Sequence, residues 1–310
     1  MNDCRRSHTV CCLACLFFVI FLVGGVGCSS SPTVQDRPDT DEEFERASRA
    51  ARLAFDNGKL QQAVGLYEQA LKRAYILDNS QAIVNTLYNM AVCLAGLQSY
   101  GEALEWVRQA ESELSDVDQS IPADILLLEA TLLYRLDRQE EARQLTDRIL
   151  TGSNPPSAAV QSKAHFLRGL MAARRGETHQ LRQEIAALSQ PATPGLQADR
   201  QELVGLLSMT EGNWNEAIEA FDHTAELRRE DFDYSAMVNA LAQAARACER
   251  AGKLSEASKR YLRAGRSAAQ QGEKRDALNW LNRAEKLAGQ AGDELTAKQA
   301  RSYRKWLEEP

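Results

Sequence analysis

Thiols, imidazoles and paired carboxylates are the side chains in this 310-residue sequence that could carry a reaction, and their spacing decides which reaction. Metal binding needs imidazoles or thiolates one helical turn or one short loop apart. His8, His165, His179 and His223 are scattered, and no two share such a spacing. The acidic pairs Glu42/Glu43 and Glu140/Glu141 fall in the first turns of expected helices, where negative charge favours the helix dipole. No phosphate-cradling glycine loop, nucleophile elbow or HExxH sequence occurs. The expectation is a protein with no catalytic residues, no cofactor and no metal. Of the seven cysteines, Cys4, Cys11, Cys12 and Cys15 lie in an apolar leader and Cys28 at its end. Cys93 and Cys248 remain, expected to be buried as small hydrophobes rather than bridged.

Charge supplies a second kind of chemistry. The formal net charge is -6, yet from Arg246 to Pro310 there are 15 Lys/Arg against 9 Asp/Glu. Lys259, Arg263 and Arg266, with Arg260 beside them, recur at four- and three-residue steps, which places a candidate basic patch on one helix face. Such a patch suits an acidic protein or lipid phosphate, and a solvated outer helix face is the competing reading. Nucleic acid is not expected, because no aromatic side chains interleave with the cations.

The first 28 residues place Arg5 and Arg6 before an uncharged, mostly apolar run from Thr9 to Gly27, the layout of an export signal. Gly25-Val26-Gly27-Cys28, followed by Ser29 to Ser31, resembles the lipobox of bacterial lipoproteins. That resemblance implies cleavage before Cys28 and lipid, including palmitate, on its thiol; serine after the cysteine implies sorting to the outer membrane, facing the periplasm. A run near 20 residues could also span a bilayer. Both readings put the rest of the chain in the cell envelope, outside the cytoplasm. The expected organisation is a signal peptide over 1–27, a flexible polar tether over 28–41, helical repeats over 42–290 and a capping helix over 291–310.

The elements that must position any site come from a repeat. A small residue, a second one twelve places on, and further slots four and seven beyond return about every 39 residues. Examples are Ala51/Ala63/Tyr67/Ala70, Ala91/Ala103/Val107/Ala110 and Ala245/Ala257/Tyr261/Ala264, with Gly169/Leu181/Ile185/Leu188 the poorest copy. Small residues are needed where two helix backbones approach most closely. The intervening turn recurs as GKLQQA at 58, QSYGEA at 98, DRQEEA at 137, GNWNEA at 212, GKLSEA at 252 and GEKRDA at 272. These features resemble the tetratricopeptide repeat family over residues 44 to 290, although the spacing exceeds the family's usual length of about 34 residues. The implied fold is all-α: a right-handed superhelix of antiparallel helix pairs, an α-solenoid of six to seven repeats. From Ala257 to Ala277 the interval halves, so the helix near Ala257 to Ala269 could serve two units. The stretch from Glu294 to Glu308 places Leu295, Ala297, Ala300, Tyr303 and Trp306 on one side, as the capping helix.

In the family, first helices line a concave groove. Carried over by register, the resemblance implies a candidate peptide groove of Arg52 and Phe55, then Tyr88, Asn89 and Val92, then Leu127, Thr131 and Tyr134, then Phe166 and Leu170. Repeat-to-repeat packing is the competing role for these residues. The family's carboxylate clamp is not expected, since Ser48 and Arg52 occupy two of its slots and Asn89 alone matches. The expected function is an envelope-anchored scaffold that binds another envelope protein or peptide. The alternative is a lipoprotein that captures a glycan or peptide for uptake, with Trp106, Trp214 and Trp280 as its aromatic platforms. Oligomeric state is not set by the sequence.

Overall fold

A computed structural model of the chain describes residues 41–116, 120–152, 155–188 and 193–309. The leader, Cys28 and all of the tether except Asp41 lie outside the described residues. Two compact units divide the described chain, one ending at Leu167 and the other starting at Arg168. The first holds α1 (Glu42–Asp56), α2 (Leu60–Ile76), α3 (Ser80–Gly96), α4 (Tyr100–Asp116), α5 (Ala123–Arg135), α6 (Gln139–Thr151) and the start of α7 (Ala158–Arg175). The second holds the remainder of α7, α8 (Thr178–Ala187), α9 (Pro194–Glu211), α10 (Trp214–Glu230), α11 (Tyr234–Arg250), α12 (Leu254–Gln270), α13 (Lys274–Gln290) and α14 (Glu294–Glu308). Every element among the described residues is helical, and successive helices pack on one another, α1 on α2, α2 on α3 and α3 on α4, then α9 through α14 in the same manner.

The turns explain the long repeat. Helices α2 to α4 and α10 to α13 are each 17 residues long, and three residues make each join from α1 through α4 and from α10 through α14. One turn residue takes a positive φ: Gly58, Asp78 and Gln98 in the first unit, and Gly212, Phe232, Gly252, Gly272 and Gly292 in the second. The left-handed residue lets following amides reach back to the last carbonyls of the helix, as Lys253 N–H does to Cys248 at 2.9 Å. From α1 to α4 and from α9 to α14, hairpin turns and the turns between hairpins share this geometry, so in those runs the backbone repeats every half unit. The halved interval from Ala257 to Ala277 is the step from α12 to α13, and α12 packs closely against both α11 and α13.

Side chains at the small slots make the core. Ala51, Ala63, Ala91, Ala103, Ala130, Ala142, Ala217, Ala245 and Ala257 are completely buried. Contact is closest where glycine stands. A Cβ on Gly205 would lie 2.8 Å from the ring of the fully buried Phe221, and one on Gly265 would lie 2.7 Å from Leu281 Cγ. Cys93 and Cys248 are buried and unbridged, and burial pushes both thiols up to about 11. Polar joints fix the register: Arg228 of α10 meets Asp199 of α9 at 2.6 Å with both side chains almost wholly buried. At the start of α1, Asp41 accepts from Phe44 N–H at 2.8 Å and pairs with Arg73 of α2, which holds its carboxyl down at about 2.

Helix α14 differs from its expected facing. Thr296 and Ala300 are buried and Tyr303 and Leu307 pack partly against the core, but Leu295 and Trp306 stand 69% and 52% exposed. A three-residue step falls about 60° short of a full turn, which carries Trp306 off the line that Tyr303 occupies. On the flank, Arg301 and Arg304 reach Glu285 of α13 at 2.8 and 3.3 Å.

Candidate functional site

The candidate groove residues divide between the units, with Leu170 in the second and the others in the first. On α1, Arg52 is exposed and reaches the hydroxyl of Tyr67 on α2, while Phe55 is half-buried. On α3, Tyr88 and Asn89 are half-buried and Val92 is buried. Burial, with a smaller push from Asp124 of α5, lifts the Tyr88 phenol to about 12. Asn85, one turn before Asn89, is exposed and accepts from Gln81 at 3.0 Å. On α5, Leu127 and Tyr134 are half-buried, and the Thr131 hydroxyl donates to the Leu127 carbonyl at 2.8 Å. On α7, Phe166 is half-buried with the Lys163 ammonium 5.9 Å from its ring centre, and Leu170 is likewise half-buried.

Helices α3 and α5 touch, and Tyr88 lies near Asp124 in the first turn of α5, with Asn89 next to it in sequence on α3. Their amide and phenol heads, with the neighbouring apolar stems, can hydrogen-bond a peptide backbone and cover apolar side chains at once. Val92 and Thr131 contribute differently: the first is closed off by packing and the second is engaged with its own helix.

The basic patch also divides. Arg260 turns toward α10 and forms a forked pair with Asp222 at 2.6 to 3.2 Å. Lys259, Arg263 and Arg266 are exposed; Lys259 lies 3.8 Å from Asp293, and the Arg266 guanidinium lies 5.7 Å from the centre of the Tyr303 ring. Of the tryptophans, Trp280 packs against two core clusters, Trp106 is half-buried, and Trp214 borders a hollow of about 470 Å³ at the turns before α10 and α12.

One ionisable constellation escaped sequence reasoning. Glu111 of α4 lies against the buried Glu129 of α5, and Arg108 reaches Glu129 at 3.2 Å. Burial and the second carboxyl raise Glu111 to about 7, with Arg148 and Arg108 opposing. The two glutamates are 18 positions apart on different helices, so no local spacing signals the pair. The hollows lined by Trp214 and by Ala47, Leu66 and Ile76 lie elsewhere.

No protein-family model matches the sequence, and comparison with curated protein sequences finds no match. Solved structures do match. The apo form of the quorum sensor NprR from B. thuringiensis is 13% identical with a TM-score of 0.58, over 85% of this chain and 81% of its own. A Rap protein complexed with Competence and Sporulation Factor is 14% identical with a TM-score of 0.57, over 86% and 85%. PilW, a type IV pilus biogenesis factor, is 19% identical with a TM-score of 0.50, over 71% and 91%. At these identities the likeness is one of fold, and that fold is an all-α, tetratricopeptide-like solenoid built from paired helices.

Proposed function

We propose that this chain is an exported, lipid-anchored interaction scaffold of the bacterial envelope, holding a segment of another envelope protein on the first-helix face of its N-terminal unit. The single observation that carries the binding half of the proposal is half-buried Tyr88 near the first turn of α5, with half-buried Asn89 next to it on α3, a polar-tipped apolar surface on a helix stack. Rigid helices hold such a surface in a binding-ready shape, which lowers the ordering cost on association. The Rap protein of like fold was solved with a factor bound, which supports a partner-holding role, and PilW of like fold is a pilus biogenesis factor, which supports placing that role in a secretion, pilus or outer-membrane assembly. The envelope half rests on the leader and Cys28, with the body standing off the bilayer on its tether.

Affinity capture after crosslinking in intact cells tests this reading. Wild type is expected to bring down a defined envelope protein, and Tyr88→Ala combined with Asn89→Ala to lose at least about 90% of it, as truncation of a contact residue costing above 1.4 kcal/mol does. A variant of unchanged helicity that captures the same protein equally well refutes the groove. A wild type that recovers no partner refutes the scaffold.

A further inference from the structure

In the C-terminal unit the outward slots of the second helices change sign along the stack. On α10 they hold Glu219, His223 and Glu226; forty residues on, α12 holds Lys259, Arg263 and Arg266, all exposed. The α12 stripe runs along α14, since Lys259 meets Asp293 at the start of α14 and Arg266 lies over Tyr303 in its middle. Helix α14 adds its own stripe of Leu295, Lys298, Ser302, Lys305 and Trp306, exposed and spread over about 100° of the helix. Among the described residues no carboxylate pairs with Arg263, Lys298 or Lys305.

Unpaired cations alone fit any anionic partner. What narrows the choice is the placement of apolar groups among them: Leu295 in the first turn, Trp306 in the last, lysines between. A helix that lies flat on a bilayer presents this order, with tryptophan at the headgroup level and lysines on lipid phosphates. We propose that α12 and α14 form a docking face for an anionic bilayer surface, with Arg263, Arg266, Lys298 and Lys305 meeting lipid phosphates while Trp306 and Leu295 enter the headgroup boundary. The face acts separately from any lipid on Cys28 and from the first-helix surface, and sets which side of the unit turns to the membrane.

Trp306 supplies the readout. The full chain and its Trp306→Phe variant are mixed with vesicles of phosphatidylcholine or of equimolar phosphatidylcholine and phosphatidylglycerol, each carrying chain-brominated lipid, and the difference in emission isolates Trp306. That emission is expected to shift to the blue and be quenched on the anionic vesicles only, and to recover in high salt. The triple variant R263E/K298E/K305E is expected to weaken this response about tenfold or more. Cys28→Ser leaves it in place. The R263Q/K298Q/K305Q variant substitutes if the reversal lowers helicity by circular dichroism. Equal quenching on both vesicles, or full quenching in the charge-altered chain, overturns the proposal. A Trp306 shift with polyglutamate but none with anionic vesicles overturns it also, and assigns the face to an acidic protein.

Discussion

Single residues set the chemical character of each unit. Glu111 shows this most directly, because its environment favours the protonated carboxyl: burial and the facing Glu129 raise it to about 7 from an ordinary 4.5. A folded-state value above the unfolded one means that the native state binds the proton more tightly, so this group stabilises fully below pH 4.5 and the contribution is lost as pH rises through 7. Asp41 has the opposite sign, held at about 2, and its contribution is lost as pH falls from 3.8 toward 2, outside that window. Thermal melts of wild type and Glu111→Gln between pH 5 and pH 8 should therefore diverge, with wild type losing stability relative to the glutamine variant. Parallel curves would show that Glu111 ionises freely in the native state.

At the scale of the element, the turn residue decides how well each helix joins the next. Glycine occupies the left-handed slot at 212, 252, 272 and 292, but Phe232 occupies it at φ +60° with its ring 47% exposed and edge-on to Tyr234 at 6.2 Å. A side chain with a Cβ in that conformation costs about 1–2 kcal/mol, and glycine's extra unfolded-state freedom offsets about 0.5–1 of what its substitution would recover. Phe232→Gly is expected to hold stability or raise it by up to about 1.5 kcal/mol in denaturant unfolding. Phe221→Gly, at a fully buried slot, should cost about 3 kcal/mol or more. A loss above about 1 kcal/mol for Phe232→Gly would mean that the exposed ring carries native packing the strain does not outweigh.

For the whole molecule, the proposed lipid anchor rests on one thiol, Cys28. Metabolic labelling with a palmitate precursor is expected to mark the wild-type protein and leave Cys28→Ala unlabelled and unprocessed; label retained by the variant would locate the acyl chain on another cysteine and remove the lipobox reading. If the proposed acyl anchor on Cys28 holds, the thirteen residues from Ser29 to Asp41, at most about 45 Å of chain when extended, would keep the repeat body within a thin layer above the bilayer. Within that layer the lipid-facing surface proposed for α12 and α14 would act at high effective concentration, so that modest affinity would suffice to orient the unit.

Helical class, half-unit length and the close-contact slots were legible in the sequence, because alanine or glycine is required wherever backbones meet and those slots recur with the helical period: Ala51, Ala63, Ala245 and Ala257 are all fully buried. That the first residue of each turn hexapeptide is left-handed, including Gln98 and Asp137 where glycine is missing, came from the structure, while the hexapeptides themselves were legible as well. Side-chain commitments were not. Local spacing put Arg260 in a basic patch, and only packing against α10 turned it onto Asp222; local spacing put Trp306 against the core, and only the docked angle of α14 left it outside. The Glu111–Glu129 pair formed from two helices whose carboxyls share no sequence motif. Periodicity constrains which face a helix buries, since that depends on residues a few places apart. Which charges meet across that face depends on helix rotation and offset, quantities that belong to the assembled fold.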